Sequence, residues 1–98
     1  MEKYIIKFDD KKNRSIALDG DTTIGECNVK KENGSWCIVR TVVDKRYGGQ
    51  GIAGELVRCV AINAQKKNIK LIPKCSYADH YFKKHPEFKN IVITDKEA

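Results

Sequence analysis

The feature that most constrains this chain is an abrupt change of pattern at Gly48. Before it, Trp36-Cys37-Ile38-Val39-Arg40-Thr41-Val42-Val43 is the most strand-like run in the sequence. Its nearly continuous apolar and β-branched character suits a central position in a sheet. After it, Ile52, Leu56, Val57, Val60, Ala61 and Ala64 recur at spacings of three and four, the pattern of an amphipathic helix ending near Lys67-Asn68. Gly48-Gly49-Gln50-Gly51 joins the two. Glycines let a backbone turn sharply and let a ligand approach with no Cβ in the way. The first turn of a helix offers unpaired N–H groups at the positive end of its dipole, so a phosphate is the natural occupant of such a mouth. The plain alternative is a glycine-rich connection that binds nothing. A P-loop is excluded because no Gly-Lys-Ser/Thr follows. The dinucleotide fingerprint is excluded because a meander precedes the turn, not a parallel β-α-β unit.

The meander is read from short runs and turn residues. Tyr4 to Phe8 is a β-branched and aromatic run, with Ser15 to Leu18 as its hairpin partner, ended by Asp19-Gly20-Asp21. Thr22 to Val29 alternates loosely, and Gly25 marks a bulge. Asn33-Gly34 is a strong two-residue hairpin signal; a regular ladder from it sets Cys27 opposite Arg40 and Cys37 opposite Lys30. Beyond the first helix, Lys70 to Ile72 is a short strand stopped by Pro73. Ser76 is placed to cap a second helix, with Asp79 three residues on. That helix presents Tyr77, Ala78, Tyr81 and Phe82 as an apolar face and ends at His85-Pro86. Ile91 to Thr94 reads as a last strand. The expected architecture is one α+β domain over residues 1–98, an antiparallel meander followed by helix–strand–helix.

Composition narrows the function classes. A chain of 98 residues supports one core with little left for elaborate pockets. No apolar run approaches the roughly 18–20 residues that span a bilayer, and the apolar part of Met1–Lys7 is too short for a signal peptide. A cytoplasmic protein with four reduced thiols is therefore expected. Those thiols, Cys27, Cys37, Cys59 and Cys75, include no C-x-x-C pair, and His80 and His85 complete no zinc pattern, so no metal site is expected. The net charge of +6 suits a polyanionic partner. The basic residues are scattered, however, and charge alone favours a solvated surface.

From Thr41 to Val57 the sequence, Thr-Val-Val-Asp-Lys-Arg-Tyr-Gly-Gly-Gln-Gly-Ile-Ala-Gly-Glu-Leu-Val, resembles the acetyl-CoA segment of the GNAT superfamily of N-acetyltransferases. That segment has a strand ending in Val, a short linker, Arg/Gln-x-x-Gly-x-Gly/Ala and a helix with a Leu; Val43, Gly48, Gly51, Ala53 and Leu56 fall on it. Ile69-Lys70-Leu71-Ile72-Pro73-Lys74-Cys75-Ser76-Tyr77, with His85-Pro86-Glu87-Phe88 after it, is similar to the small single-domain GNAT-like subfamily. The likeness covers about the last 60 residues well and the first 40 only as a compatible meander.

The resemblance implies a GNAT-like fold, acetyl-CoA as cofactor and acetyl transfer to an amine. The acceptor stays open among a protein lysine, an N-terminus, a polyamine and a small amine. The backbone from Gly48 through Gly49, Gln50, Gly51 and Ile52 to Ala53 would hold the pyrophosphate. Thr41, Val42 and Val43 would run beside the pantetheine arm, in a slot opened where the strand before Pro73 splays away, with Cys75 and Tyr77 at its rim. Gly48 stands where the family usually has Arg or Gln, leaving Arg46 or Lys45 to reach the phosphates. Phe82 stands near the position of the family's tyrosine general acid, so that role passes to Tyr81 or Tyr77. Cys75 sits where many members place an Asn, and is either a thiol beside the thioester, acting as nucleophile or relay, or a small buried hydrophobe at a strand end. A reactive thiolate there would draw on the second helix's N-terminus and on Lys74. His80 and His85 read as surface or capping residues, Arg40 as a solvated strand residue and Trp36 as a core anchor. Two rivals stand beside this: a protein that holds acetyl-CoA without catalysis, and a KH-like RNA-binding module, whose G-x-x-G loop Gly48-Gly49-Gln50-Gly51 also matches.

Overall fold

Asn33 and Gly34 both take positive φ, 50° and 81°. They make the tight turn that the right-handed twist of two paired strands favours. From this turn β3 (Thr22–Glu32) and β4 (Ser35–Val43) zip together, Glu32 opposite Ser35. A computed structural model describes residues 4–93. β1 (Ile5–Asp9) and β2 (Arg14–Asp19) complete the antiparallel meander in sheet order β1-β2-β3-β4-β5. α1 (Ile52–Lys66) then carries the chain back over the sheet, and β5 (Lys70–Pro73) pairs parallel to β4, as a helical crossover requires. α2 (Ser76–Lys83) follows. The α+β meander with helix–strand–helix is thus as the sequence indicated.

α1 buries the six residues its periodicity named: Ile52, Leu56, Val57, Val60, Ala61 and Ala64. They pack on the sheet face that carries Ala17, Cys27, Trp36 and Ile38, and α2 adds Ala78, Tyr81 and Phe82 to the same core. Ser15 is fully buried there, and its hydroxyl donates to the Leu56 carbonyl at 2.7 Å, so the polar group costs little. At the far end Phe8 and Trp36 stack at 5.3 Å, with the Lys67 ammonium 5.6 and 5.3 Å from their centroids. Trp36 is the core anchor expected of it. Among the described residues no helix is long and apolar enough to cross a membrane.

Three expectations are corrected. The β3–β4 ladder slips at Asn28/Val29: Asn28 opposes Arg40 while Val29 opposes Ile38, so Val39 is an extra residue on β4. Cys37 faces Lys30 as expected, but Cys27 faces Thr41, not Arg40. The second helix is capped by Cys75, one residue before Ser76: its Sγ accepts from the Ala78 amide at 3.4 Å. The last strand is a single parallel bridge of Val92 to Leu71, and Thr94 lies outside the described residues. The bulge marked by Gly25 is present beside it, where Ala17 opposes Gly25 and Leu18 opposes Thr23, leaving Ile24 extra.

Candidate functional site

The turn between β4 and α1 is pinned at its start. The Asp44 amide donates to the Ile24 carbonyl at 2.7 Å, which prolongs the β3–β4 contact by one rung. Asp44 then caps a short 3-10 turn, Lys45–Tyr47, accepting from the Arg46 amide at 2.9 Å and pairing with its guanidinium at 2.9 and 3.2 Å. These bonds hold the Asp44 carboxyl down at about 2. Arg46 is thereby committed, and of the two basic residues near the turn Lys45 is exposed and outside any ion pair among the described residues.

Gly49 and Gly51 take φ of +77° and +78°, and a Cβ at either would meet nothing within 4 Å. Backbone shape, not crowding, therefore demands glycine at both. Gly48 is different, extended at φ −63°. Gly51 is the N-cap of α1, and its carbonyl accepts the Glu55 amide at 3.2 Å. Among the described residues no amide from Gly49 to Gly54 donates to a protein acceptor. A run of exposed glycine-rich backbone thus ends in the orphan donors of a helix start.

The second half of the site lies where β4 and β5 part. Their pairing runs from Ser35↔Lys70 to Ile38↔Pro73 and stops. The Ile38 carbonyl accepts from both the Lys74 and Cys75 amides, at 3.0 and 2.9 Å, as the chain turns off the sheet. Beyond that apex β4 continues from Val39 to Val43 with β3 on one edge and no strand on the other among the described residues. Val39 and Val42 are 44% and 38% exposed. Across the opening, Cys75 Sγ lies 3.5 Å from Thr41 Oγ1, which also donates to Cys27 Sγ at 3.5 Å. Burial pushes the Cys27 thiol up to about 12, so it stays protonated near neutrality.

The tyrosines divide. The Tyr77 hydroxyl lies 3.3 Å from where a Cβ on Gly54 would be, directly over the first turn of α1, and Tyr77 is 40% exposed. Burial, and then the neighbouring Cys75, raise its pKa. Tyr81 brings one ring edge to within 3.5 Å of the same position, and its ring stacks on His85 at 3.9 Å. Burial raises its pKa and nearby Arg58 opposes the rise. The structure therefore gathers Thr41, Cys75 and Tyr77 near the opening and the glycine turn at its end, while the Tyr81 phenol sits beside Arg58. Sequence reading missed Gly54, whose bare Cα lets α2 approach α1; a glycine inside an otherwise regular helical pattern was the available signal. His85 caps α2 through Nδ1, 2.7 Å from the Tyr81 carbonyl, and Arg40 is ion-paired to Glu26 at 3.8 Å.

Residues 14–91 match the family model described as GCN5-related N-acetyl-transferase. The chain belongs to this family. Among solved structures, the NMR solution structure of a GCN5-like candidate N-acetyltransferase from Staphylococcus aureus is similar, with a TM-score of 0.74 and 26% identity. The likeness covers 96% of this chain and 92% of that one. No curated protein sequence matches. Membership of the GCN5-related family accounts for the mixed sheet and its parted strands, and it displaces the RNA-binding alternative. A KH loop joins two helices, whereas here β4 and a 3-10 turn precede the glycines.

Proposed function

We propose that this GCN5-related protein binds acetyl-CoA and transfers the acetyl group to an amine. The observation that carries the reading is that one strand serves both halves of the site: β4 has a free edge from Val39 to Val43 and runs within a few residues into the unsatisfied amides of Gly49–Ala53. Those amides suit a diphosphate, and the residues around Thr41, Val42 and Val43 suit an extended amide-bearing arm. Gly48, Gln50 and Ile52 complete the contact backbone, and Lys45, exposed and outside any ion pair among the described residues, is placed to meet phosphate charge. Bound acetyl-CoA supplies a thioester, from which an amine takes the acetyl group while coenzyme A departs as a thiol. On the protein side, the Thr41 hydroxyl and the Ala78 amide hold Cys75 Sγ at the rim of the opening. Cys75 and Tyr81 are the groups proposed for proton or acyl handling, with Tyr77 nearer to the opening and next in line. The four free cysteines suit a cytoplasmic location.

Titration with acetyl-CoA, followed by amide shifts, tests binding: movement is expected at Gly49–Ala53 and Thr41–Val43, and silence at millimolar ligand overturns the proposal. Turnover is tested separately by release of free thiol with a panel of amines, comparing the wild type with Cys75→Ala, Tyr77→Phe and Tyr81→Phe. A second reading, acetyl-CoA held without turnover, is favoured by the burial of Tyr81 and the stacking of its ring on His85. Ligand-induced shifts with no thiol release from any amine would select it.

A further inference from the structure

The glycine turn is held by a residue that the family motif does not contain. Tyr47 closes the 3-10 turn immediately before Gly48, and its phenol O–H donates to the carboxylate of Asp19, the last residue of β2. We infer that this Tyr47–Asp19 bond is the latch that positions the phosphate-binding turn, an inference that rests on the acetyl-CoA reading above.

The need for a latch follows from the backbone. Three of the four residues after Tyr47 are glycines, and glycine has the most conformational freedom to lose when a loop is ordered. Two of them hold positive φ with no side chain of their own and nothing packed where a Cβ would be, so no local contact fixes them. The chain is secured at Asp44 by the sheet, and again at Gly51 by the first bond of α1. Between those points Tyr47 is the residue that reaches away from the turn. Its ring packs against the core and its hydroxyl finds a carboxylate 28 residues distant in sequence. A hydrogen bond to an ionised acceptor is stronger than a neutral one. Asp19 also raises the phenol pKa, which keeps the proton on the donor. Fixing the turn before ligand arrives spares the ordering entropy that an unrestrained glycine loop would lose on binding.

Tyr47 and Asp19 are positioning residues here, and neither needs to touch ligand. The test is a double-mutant cycle on acetyl-CoA affinity with Tyr47→Phe, Asp19→Ala and the pair together. Amide hydrogen exchange at Gly49–Ala53 is measured in each variant without ligand. Each single variant is expected to weaken acetyl-CoA roughly tenfold, and the pair no more than either alone, because both remove one bond. Exchange in the turn is expected to quicken while β3 and β4 keep their protection. Unchanged affinity and exchange overturn the latch, and so does a multiplicative loss of roughly a hundredfold in the pair. If the wild type itself does not bind acetyl-CoA, the proposed function falls, and the exchange arm alone then decides the latch: quickened turn exchange supports it, unchanged exchange overturns it.

Discussion

The two edges of β4 make an instructive contrast. Toward β3 the strand is paired from Ser35 to Val43, interrupted only by the bulge at Val39, and Asp44 adds one more rung. Toward β5 the same strand is paired only as far as Ile38. The closed edge belongs to a scaffold that buries Cys27, Ile38 and Leu56 completely. The open edge leaves main-chain groups from Val39 to Val43 without a partner strand among the described residues, where a protein ordinarily covers or blunts a strand. Continuous pairing supplies stability; the interruption supplies the opening proposed as the site. Changes on the closed side should therefore act on folding, and changes at the open side and glycine turn on binding.

The sharpest way to break the contrast is Leu56→Ala. Leu56 is fully buried against Gly25, and its loss should cost about 3 kcal/mol in urea or thermal unfolding, as large-to-small core changes do. The surviving folded fraction should still bind acetyl-CoA. A stable variant that has lost binding would contradict the division. Next in size is Gly51→Ala, which puts a Cβ at φ +78° and should cost about 1–2 kcal/mol of stability together with a loss of acetyl-CoA affinity. Gly48→Ala, at φ −63°, serves as its control and should leave both nearly unchanged.

Smaller effects lie in the pH dependence. Cys27 is raised from its ordinary value of 9.0 to about 12 by burial, so the unfolded chain loses that proton first as pH rises. Stability should be intact below pH 9.0 and decline between there and about 12. Cys27→Ala should flatten this alkaline slope; an equal slope in both proteins would show that the thiol is not sealed. Asp44 has the opposite sign: lowered from 3.8 to about 2, it contributes above pH 3.8 and loses that contribution as pH falls toward 2. Because it is only half-buried and paired with an exposed Arg46, the effect should be the smallest and confined to the turn, visible as faster amide exchange near Arg46 that Asp44→Asn reproduces at neutral pH.

Much of this was legible in the sequence where the signal is local. The periodicity of α1 named its whole buried face, Asn33-Gly34 fixed the central hairpin, and the glycine run marked the turn between a β-branched strand and a helix. The bulge at Val39 was not legible, because the run from Trp36 to Val43 is apolar on both faces and has no alternation to betray a slip. That slip moved Thr41 opposite Cys27, and so built the Cys27–Thr41–Cys75 contact that no spacing rule suggests. The cap moved from Ser76 to Cys75 because Cys75 holds extended backbone, φ −77° and ψ 137°, and its sulfur meets the third amide. Tyr47 with Asp19, and Tyr4 with Glu55 at 2.6 Å, join residues far apart in the chain, and a single sequence carries no mark of such partners.

The oxygen of Ile38 already serves two nitrogens, those of Lys74 and Cys75, as the chain leaves the sheet. The zipper between the fourth and fifth strands therefore stops just past that rung, where both amides close on one carbonyl. Nothing has to be prised apart when a visitor arrives, since the cleft exists at the moment folding ends. Association at this edge should accordingly look like entry into a standing doorway, with the backbone of both jambs nearly unmoved.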